Sequence, residues 1–274
     1  MPNYYSQHGE DILLDRIFDG SKDGFFVEVG CIDGVRFSNT LTFEERGWKG
    51  LCVEAHGDFI EILRKNRPRS IIEHCAAGDM DEEGVTFYAN YRGSLSSLDR
   101  TQEKRFRMYG KYFGGFTQQQ VSKRRLDTIL ANHGVNRVDL LSLDIEGSEE
   151  QAIRGFDIKR YHPSVMVVEV DGREQETALD QLILPHGYVK WIRLGPNLFY
   201  LADISLSESV RDRVVQGDVI RAADEVAGTG AGFITVTIDT RVPLGGDALF
   251  SCTPASPDTR HKGWITRLIG KLRQ

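Results

Sequence analysis

The 274-residue chain has few of the features that would place it in a specialised class. Its four cysteines, Cys31, Cys52, Cys75 and Cys252, form no Cys-x-x-Cys pair and make no cluster with histidine at zinc-ligand spacing. That excludes a zinc ribbon, a dithiol redox motif and a disulfide-dense scaffold. The bland reading, buried reduced thiols, fits a cytoplasmic protein. No apolar run approaches the ~20 residues needed to cross a bilayer, and the N-terminal stretch MPNYYSQHGEDILL has no apolar signal segment. An excess of positive charge is missing as well. Lys and Arg number 34 against 40 Asp and Glu, a net charge of −6, which argues against a nucleic-acid partner. The Gly-x-Gly-x-x-Gly fingerprint of dinucleotide binders is absent, which disfavours a nicotinamide-dependent oxidoreductase.

What is present is an alternation of apolar runs and amphipathic stretches. The runs cover Phe25–Val29 and residues 50–53, 70–76, 138–143 and 165–170. They are rich in Val, Ile and Leu without polar alternation, as strands buried on both faces of a parallel sheet are. Helical patterns fall at residues 10–18, 39–46, 58–66, 121–133 and 149–155. Residues 188–193 and 197–202 read as two strands joined by a Leu-Gly-Pro turn. The pattern predicts an α/β fold, a doubly wound Rossmann-like sheet with an antiparallel edge hairpin. Composition changes after Asp203. Residues 205–226 read as helix, residues 233–239 as a strand, and a last helix closes the chain. The expected organisation is therefore a core domain over residues 1–203 and an α+β extension over residues 204–274.

Ligands of open α/β sheets bind beyond the carboxyl ends of the strands, so the residues there carry the argument. The first strand runs into Glu28-Val29-Gly30-Cys31-Ile32-Asp33-Gly34. Gly30 and Gly34 permit a tight turn and close approach of a ligand, and the Glu28 carboxylate suits an ammonium. The second strand ends at Glu54, placed to accept hydrogen bonds from both ribose hydroxyls. Small residues at the end of the third strand, Ala76 and Ala77, leave room for a flat adenine ring.

The fourth strand leads into Asp144-Ile145-Glu146-Gly147-Ser148-Glu149, and the fifth carries Glu169 and Asp171. Neighbouring strands would gather these acids, and their repulsion must be relieved by a cation, hydrogen bonds or protonation. Two readings stay open. Asp144, with Glu169, is a general base for an acceptor hydroxyl, or Asp144, Glu169 and Asp171 hold Mg2+ or a similar divalent cation through oxygen ligands. Among the histidines near strand ends, His8 and His56 are the favoured additional proton acceptors, with His8 taken as the catalytic candidate, although any single one is more often structural.

The stretches Ser6-Gln7-His8-Gly9-Glu10-Asp11, Gly24-Phe25-Phe26-Val27-Glu28-Val29-Gly30, Ser38-Asn39-Thr40-Leu41, Gly47-Trp48-Lys49-Gly50, Val53-Glu54, Arg125-Leu126-Asp127 and Asp144-Ile145-Glu146-Gly147-Ser148-Glu149 occur in this order. Through them the chain resembles the FkbM-type methyltransferases, a class I, S-adenosylmethionine-dependent family. The resemblance spans residues 6–171 and implies O-methylation of hydroxyls on sugars, polyketides or other natural products. It also implies that Gln7, Glu28, Gly30, Asn39 and Glu54 line the cofactor site and that Asp144 lies near the transferred methyl. The family often has Asp where this chain has Glu28. Nothing after Asp203 shares the resemblance.

Between Arg92 and Arg125 the chain carries nine Lys and Arg against Asp99 and Glu103, together with several aromatics and glycines. Such a segment suits a lid, with Arg92, Tyr109, Tyr112 and Phe113 as candidates for binding an acceptor bearing phosphate or carboxylate. The expected acceptor is a phosphorylated or lipid-linked glycan of surface-polysaccharide synthesis. The competing reading is a non-catalytic cofactor- or glycan-binding module. Residues 260–273 form a basic amphipathic pattern, suited either to peripheral contact with anionic lipid at the inner membrane face or to docking within a homo-oligomer.

Overall fold

The computed structural model describes residues 2–101 and 115–207, and the backbone of residues 220–224, 232–237 and 251–254. The apolar runs become strands: β1 (Phe25–Val29), β2 (Lys49–Glu54), β3 (Ser70–His74), β7 (Leu140–Leu143) and β8 (Val165–Glu169). These five pair in parallel, and β10 (Asn197–Leu201) and β9 (Val189–Leu194) add the antiparallel edge, giving the order β3-β2-β1-β7-β8-β10-β9. This is a Rossmann-like sheet with an antiparallel edge hairpin.

Successive residues of a strand point to opposite faces, and both faces are covered. Val27, Val29, Leu51, Val53, Leu141 and Val168 face one core, packed by α4 (Leu126–Asn132), α5 (Glu149–Arg154) and α7 (Arg173–Ile183). Phe26, Cys52, Leu140 and Val167 face the other, covered by α1 (Glu10–Ile17) and by α2 (Leu41–Arg46) with its neighbour Trp48. Phe26, Phe43 and Trp48 are fully buried, each contributing about 1.5–3 kcal/mol of apolar transfer. Trp48 also donates its indole N–H to the Ser21 carbonyl at 2.8 Å, so its one polar atom is satisfied. Cys31, Cys52 and Cys75 are buried free thiols, as expected.

The chain departs from the sequence pattern in three places. Residues 121–124 belong to β6 (Phe116–Arg124), and only α4 after them is helical. β6 pairs with β5 (Glu82–Asn90) and with the short β4 (Ala76–Ala77) in a second sheet. Val121 points into a small core with Phe87 and Ala89, whereas most of the other β6 side chains stay in contact with water. A strand of that kind shows little apolar alternation and reads as helix. Within residues 205–226, the stretch Ile220–Asp224 is a strand, β11. It pairs with β12 (Gly232–Thr237) in a three-stranded sheet with β13 (Ser251–Pro254). The C-terminal pattern at residues 260–273 lies outside the described residues, as do Tyr109, Tyr112 and Phe113. No helix among the described residues is long and apolar enough to cross a membrane.

The register fixes the location of the chemistry. Val29 is level with Val53 on one side and with Leu143 on the other, and Leu143 is level with Val168. Gly30, Glu54, Asp144 and Glu169 therefore leave the sheet together, at one edge.

Candidate active site

At that edge lies a cavity of about 310 Å3, at the small end of the range for ligand pockets. Its floor is the loop after β1. Gly30 has φ +88°, and a Cβ there would sit 1.8 Å from the Asp144 carbonyl oxygen. Only glycine lets these two strand ends approach so closely. Gly34, by contrast, does not face the cavity. At φ +80° it turns the loop away, and a Cβ would meet Leu63 and Arg67 side chains at 2.6 Å. Its expected place in cofactor binding is corrected to a packing role.

The Glu28 carboxylate lines the cavity but is heavily engaged. It accepts from Arg67 Nη1 (2.9 Å), the Asn39 N–H (2.8 Å), Thr40 Oγ1 (2.8 Å) and Ser38 Oγ (3.0 Å). Arg67, with no exposed side-chain surface, pairs also with Glu44 at 2.6 Å and stacks 5.1 Å from the centroid of Phe26. Two carboxylates thus neutralise one buried guanidinium, and the network pins residues 38–40. Asn39 in turn donates to Ser142 Oγ at 3.0 Å and faces the cavity, as does Gln7. Glu28 is accordingly an organiser of the loop more than a free counter-ion for an ammonium.

Glu54 accepts from the backbone N–H groups of Ile32 and His56, both at 2.7 Å. Burial outweighs these bonds and pushes its pKa up to about 7. Cys75, Ala76, Ala77 and Phe87 form an apolar slot beside it. His56 is buried against the Asn90 carbonyl, and burial lowers its pKa, so it is a structural imidazole.

Across the cavity, Asp144, Glu146 and Glu169 bring one carboxylate oxygen each within 4.8 Å of one another. Asp144 and Glu146 line the cavity, with Glu169 beside them. Asp144 and Glu169 are hydrogen-bonded. Burial, reinforced by the charges of Asp144, Glu146 and Glu149, raises Glu169 well above the usual carboxylate range. Burial raises Asp144 as well, but the Glu169 hydrogen bond and the nearby His8 oppose the rise. Both carboxyls of the pair thus hold a proton more readily than an ordinary carboxylate. Asp171 does not join the cluster. It is exposed one residue beyond Val170, and its N–H donates to Gln175 at 2.6 Å. The metal-ligand trio foreseen from sequence is thus corrected from Asp144, Glu169 and Asp171 to Asp144, Glu146 and Glu169. His8 packs over Gly195 and reaches Asp144 electrostatically without lining the cavity. A second trio, Glu28, Cys31 and Cys52, is equally close. It is a poor cation site because Arg67 already neutralises Glu28 and burial pushes the Cys31 thiol up.

Residues 93–98 strap the cavity. The Leu95 N–H donates to Glu146 Oε1 at 3.1 Å, and Ser97 Oγ donates to the Glu146 carbonyl at 2.7 Å. Arg92, expected to touch the acceptor, is exposed just before the strap, and its carbonyl accepts from Arg36. Six non-glycine residues among those described have positive φ, and four of them, Ile32, Phe37, Leu95 and Glu146, line this cavity. Strained backbone of this kind, costing about 1–3 kcal/mol each, gathers at functional sites.

The sequence reading did not anticipate Arg67, Arg36 or the strap. Arg67 follows a helix and precedes Pro68, where a basic residue reads as an ordinary helix end. Its partners Glu28 and Glu44 are distant in the chain.

The Methyltransferase FkbM domain matches residues 28–190. The chain belongs to the FkbM methyltransferase family. Solved structures with a similar path include the C-terminal domain of precorrin-6Y C5,15-methyltransferase from Rhodobacter capsulatus, at 13% identity over 70% of this chain and 85% of that one, with a TM-score of 0.36. A TehB-like SAM-dependent methyltransferase from Corynebacterium glutamicum shares 12% identity over 71% and 85%, with a TM-score of 0.35. An amino pentose methyltransferase from Micromonospora echinaspora shares 14% over 91% and 75%, with a TM-score of 0.31. No curated protein matches the chain. The cavity of this FkbM protein fits the cofactor of such enzymes, S-adenosylmethionine. Its lining combines the apolar side chains of Cys75, Ala76 and Ala77 with the carboxylates of Glu54 and Asp144.

Proposed function

We propose that this FkbM methyltransferase methylates a hydroxyl of a sugar or glycan. S-adenosylmethionine supplies the electrophilic methyl. The observation that carries the reading is the Asp144–Glu169 pair at the cavity edge. Asp144 Oδ takes the acceptor's hydroxyl proton as the oxygen bonds to the methyl carbon and the carbon–sulfur bond breaks. S-adenosylhomocysteine and the methyl ether are the products, and the carboxylate pair has gained one proton. Glu169 keeps its own proton and holds Asp144 in place. The strap and the loop of residues 38–40 align the reactants, and alignment alone accounts for a large part of such a rate. The acidic walls favour polyol donors at the reacting end. A phosphate or pyrophosphate of the acceptor would lie outside it, towards Arg92.

Three clustered carboxylates also suit a hard cation, which gives a second reading for the same residues. Calorimetric titration of the purified protein with S-adenosylmethionine and S-adenosylhomocysteine, with and without Mg2+, separates the two. We expect micromolar binding independent of Mg2+, followed by release of S-adenosylhomocysteine in the presence of a sugar or sugar-phosphate from a screened panel. Turnover that stops with EDTA and returns with Mg2+ would transfer the role to the metal. Turnover on polyketide hydroxyls and on no sugar would overturn the glycan assignment. Deletion of residues 260–274 tests membrane contact: liposomes containing anionic lipid should bind the full chain and release the truncated one.

A further inference from the structure

Four carboxylates line the cavity, Glu28, Glu54, Asp144 and Glu146, and Arg36 is the one cationic side chain among the described residues that do. It lies in the loop between β1 and α2, a loop fixed by Asp33 Oδ1, which accepts from the N–H groups of Val35 (2.9 Å) and Arg36 (2.8 Å). The guanidinium is half-buried, 5.8 Å from the Phe37 ring centroid, and Nη2 donates to the Arg92 carbonyl. Its Nε is buried and has no hydrogen-bond partner among the described residues, and no carboxylate of those residues pairs with it. The contrast with Arg67, which has two carboxylates and two hydroxyls around it, is sharp. Withdrawing a charged donor from water without a counter-ion is costly, so the site is built for an anion that arrives with a ligand. A guanidinium recognises a carboxylate through paired, charge-assisted hydrogen bonds.

On the reading that S-adenosylmethionine occupies the cavity, only one of its groups is anionic. Its adenine and ribose match the Cys75–Ala77 slot and Glu54, which sends the amino-acid end towards the loop after β1. We infer that Arg36 receives the α-carboxylate of S-adenosylmethionine. Through the Arg92 carbonyl, the same guanidinium then ties the occupied site to the strap.

The test is calorimetry on the full chain with S-adenosylhomocysteine and with its decarboxylated analogue, which differs only in the missing carboxylate. The unaltered protein should prefer S-adenosylhomocysteine by about 10- to 100-fold, the range for a hydrogen bond to a charged group. Arg36→Met should abolish that preference while leaving the affinity for the analogue unchanged, and Arg36→Lys should restore part of it. A melting temperature like that of the unaltered protein shows that the variants fold. A preference that persists in Arg36→Met overturns the inference. So does an equal loss for both ligands, or intact cofactor affinity with a raised KM for an acidic acceptor, which would assign the guanidinium to the acceptor. If the unaltered protein binds neither ligand, the cofactor reading itself fails, a result distinct from all of these.

Discussion

Around Arg67, two carboxylates are held at hydrogen-bond distance from one guanidinium and three hydroxyls complete their shells. Some distance along the same sheet edge, Asp144, Glu146 and Glu169 bring one carboxylate oxygen each within 4.8 Å of one another. The acids of the first cluster are buried against a fixed cation, whereas those of the second are only part-buried beside the cavity. In the second, burial and nearby acids raise the proton affinity of Asp144 and Glu169. The first cluster is therefore scaffold, holding Ser38 and Asn39 against the cavity, and the second is the candidate for proton chemistry. Buried acids of one chain can thus be sorted into supporting and reacting groups by how their charge is balanced.

The largest effect should come from breaking the scaffold cluster. Arg67→Met leaves Glu28 and Glu44 buried without their cation and should cost about 3–5 kcal/mol of stability in urea denaturation. A loss under about 1 kcal/mol would mean that water or rearrangement relieves the site. Next is the contact that joins the two regions. Gly30→Ala forces a Cβ against the Asp144 carbonyl at φ +88° and should cost about 1–3 kcal/mol together with most of the S-adenosylhomocysteine affinity. Unchanged binding would separate the β1 loop from the acidic cluster.

The smallest effect is a pH dependence. Glu149, beneath the cluster, accepts from the N–H groups of Ile145 and Gly147 and from Gln175, and burial pushes its pKa up to about 7. An acid whose folded pKa is raised gives stability that is complete below its ordinary value near 4.5 and is lost as the pH rises through 7. The melting temperature should therefore fall less between pH 5 and 8 in Glu149→Gln than in the unaltered protein. Parallel curves would place Glu149 among ordinary ionised acids.

How much of this was legible in the sequence follows from the same physics. β1, β2, β7 and β8 are buried on both faces, so their apolar runs identify them and the acids at their ends follow directly. β6 carries Thr117, Gln118, Gln119 and Gln120 on a sheet that stays partly wet, and no apolar period marks it. Glu146 and Asp171 show the limit at the site. Both stand two residues past an apolar strand's last acid-facing position. A left-handed backbone at Glu146, φ +55°, turns the chain back towards Asp144, whereas the chain after Glu169 runs out to solvent at Asp171. Backbone of that kind on a non-glycine residue has no sequence signature.

The central claim is that Asp144 accepts the acceptor's proton while Glu28 and Arg67 only hold the site. It is tested most directly by Asp144→Asn, assayed for turnover and, on the same preparation, for S-adenosylhomocysteine binding. The expected result is a fall in kcat of about 10²- to 10⁴-fold with cofactor affinity within a few-fold of the unaltered protein. Full turnover in Asp144→Asn, or loss of binding in step with loss of turnover, would contradict it.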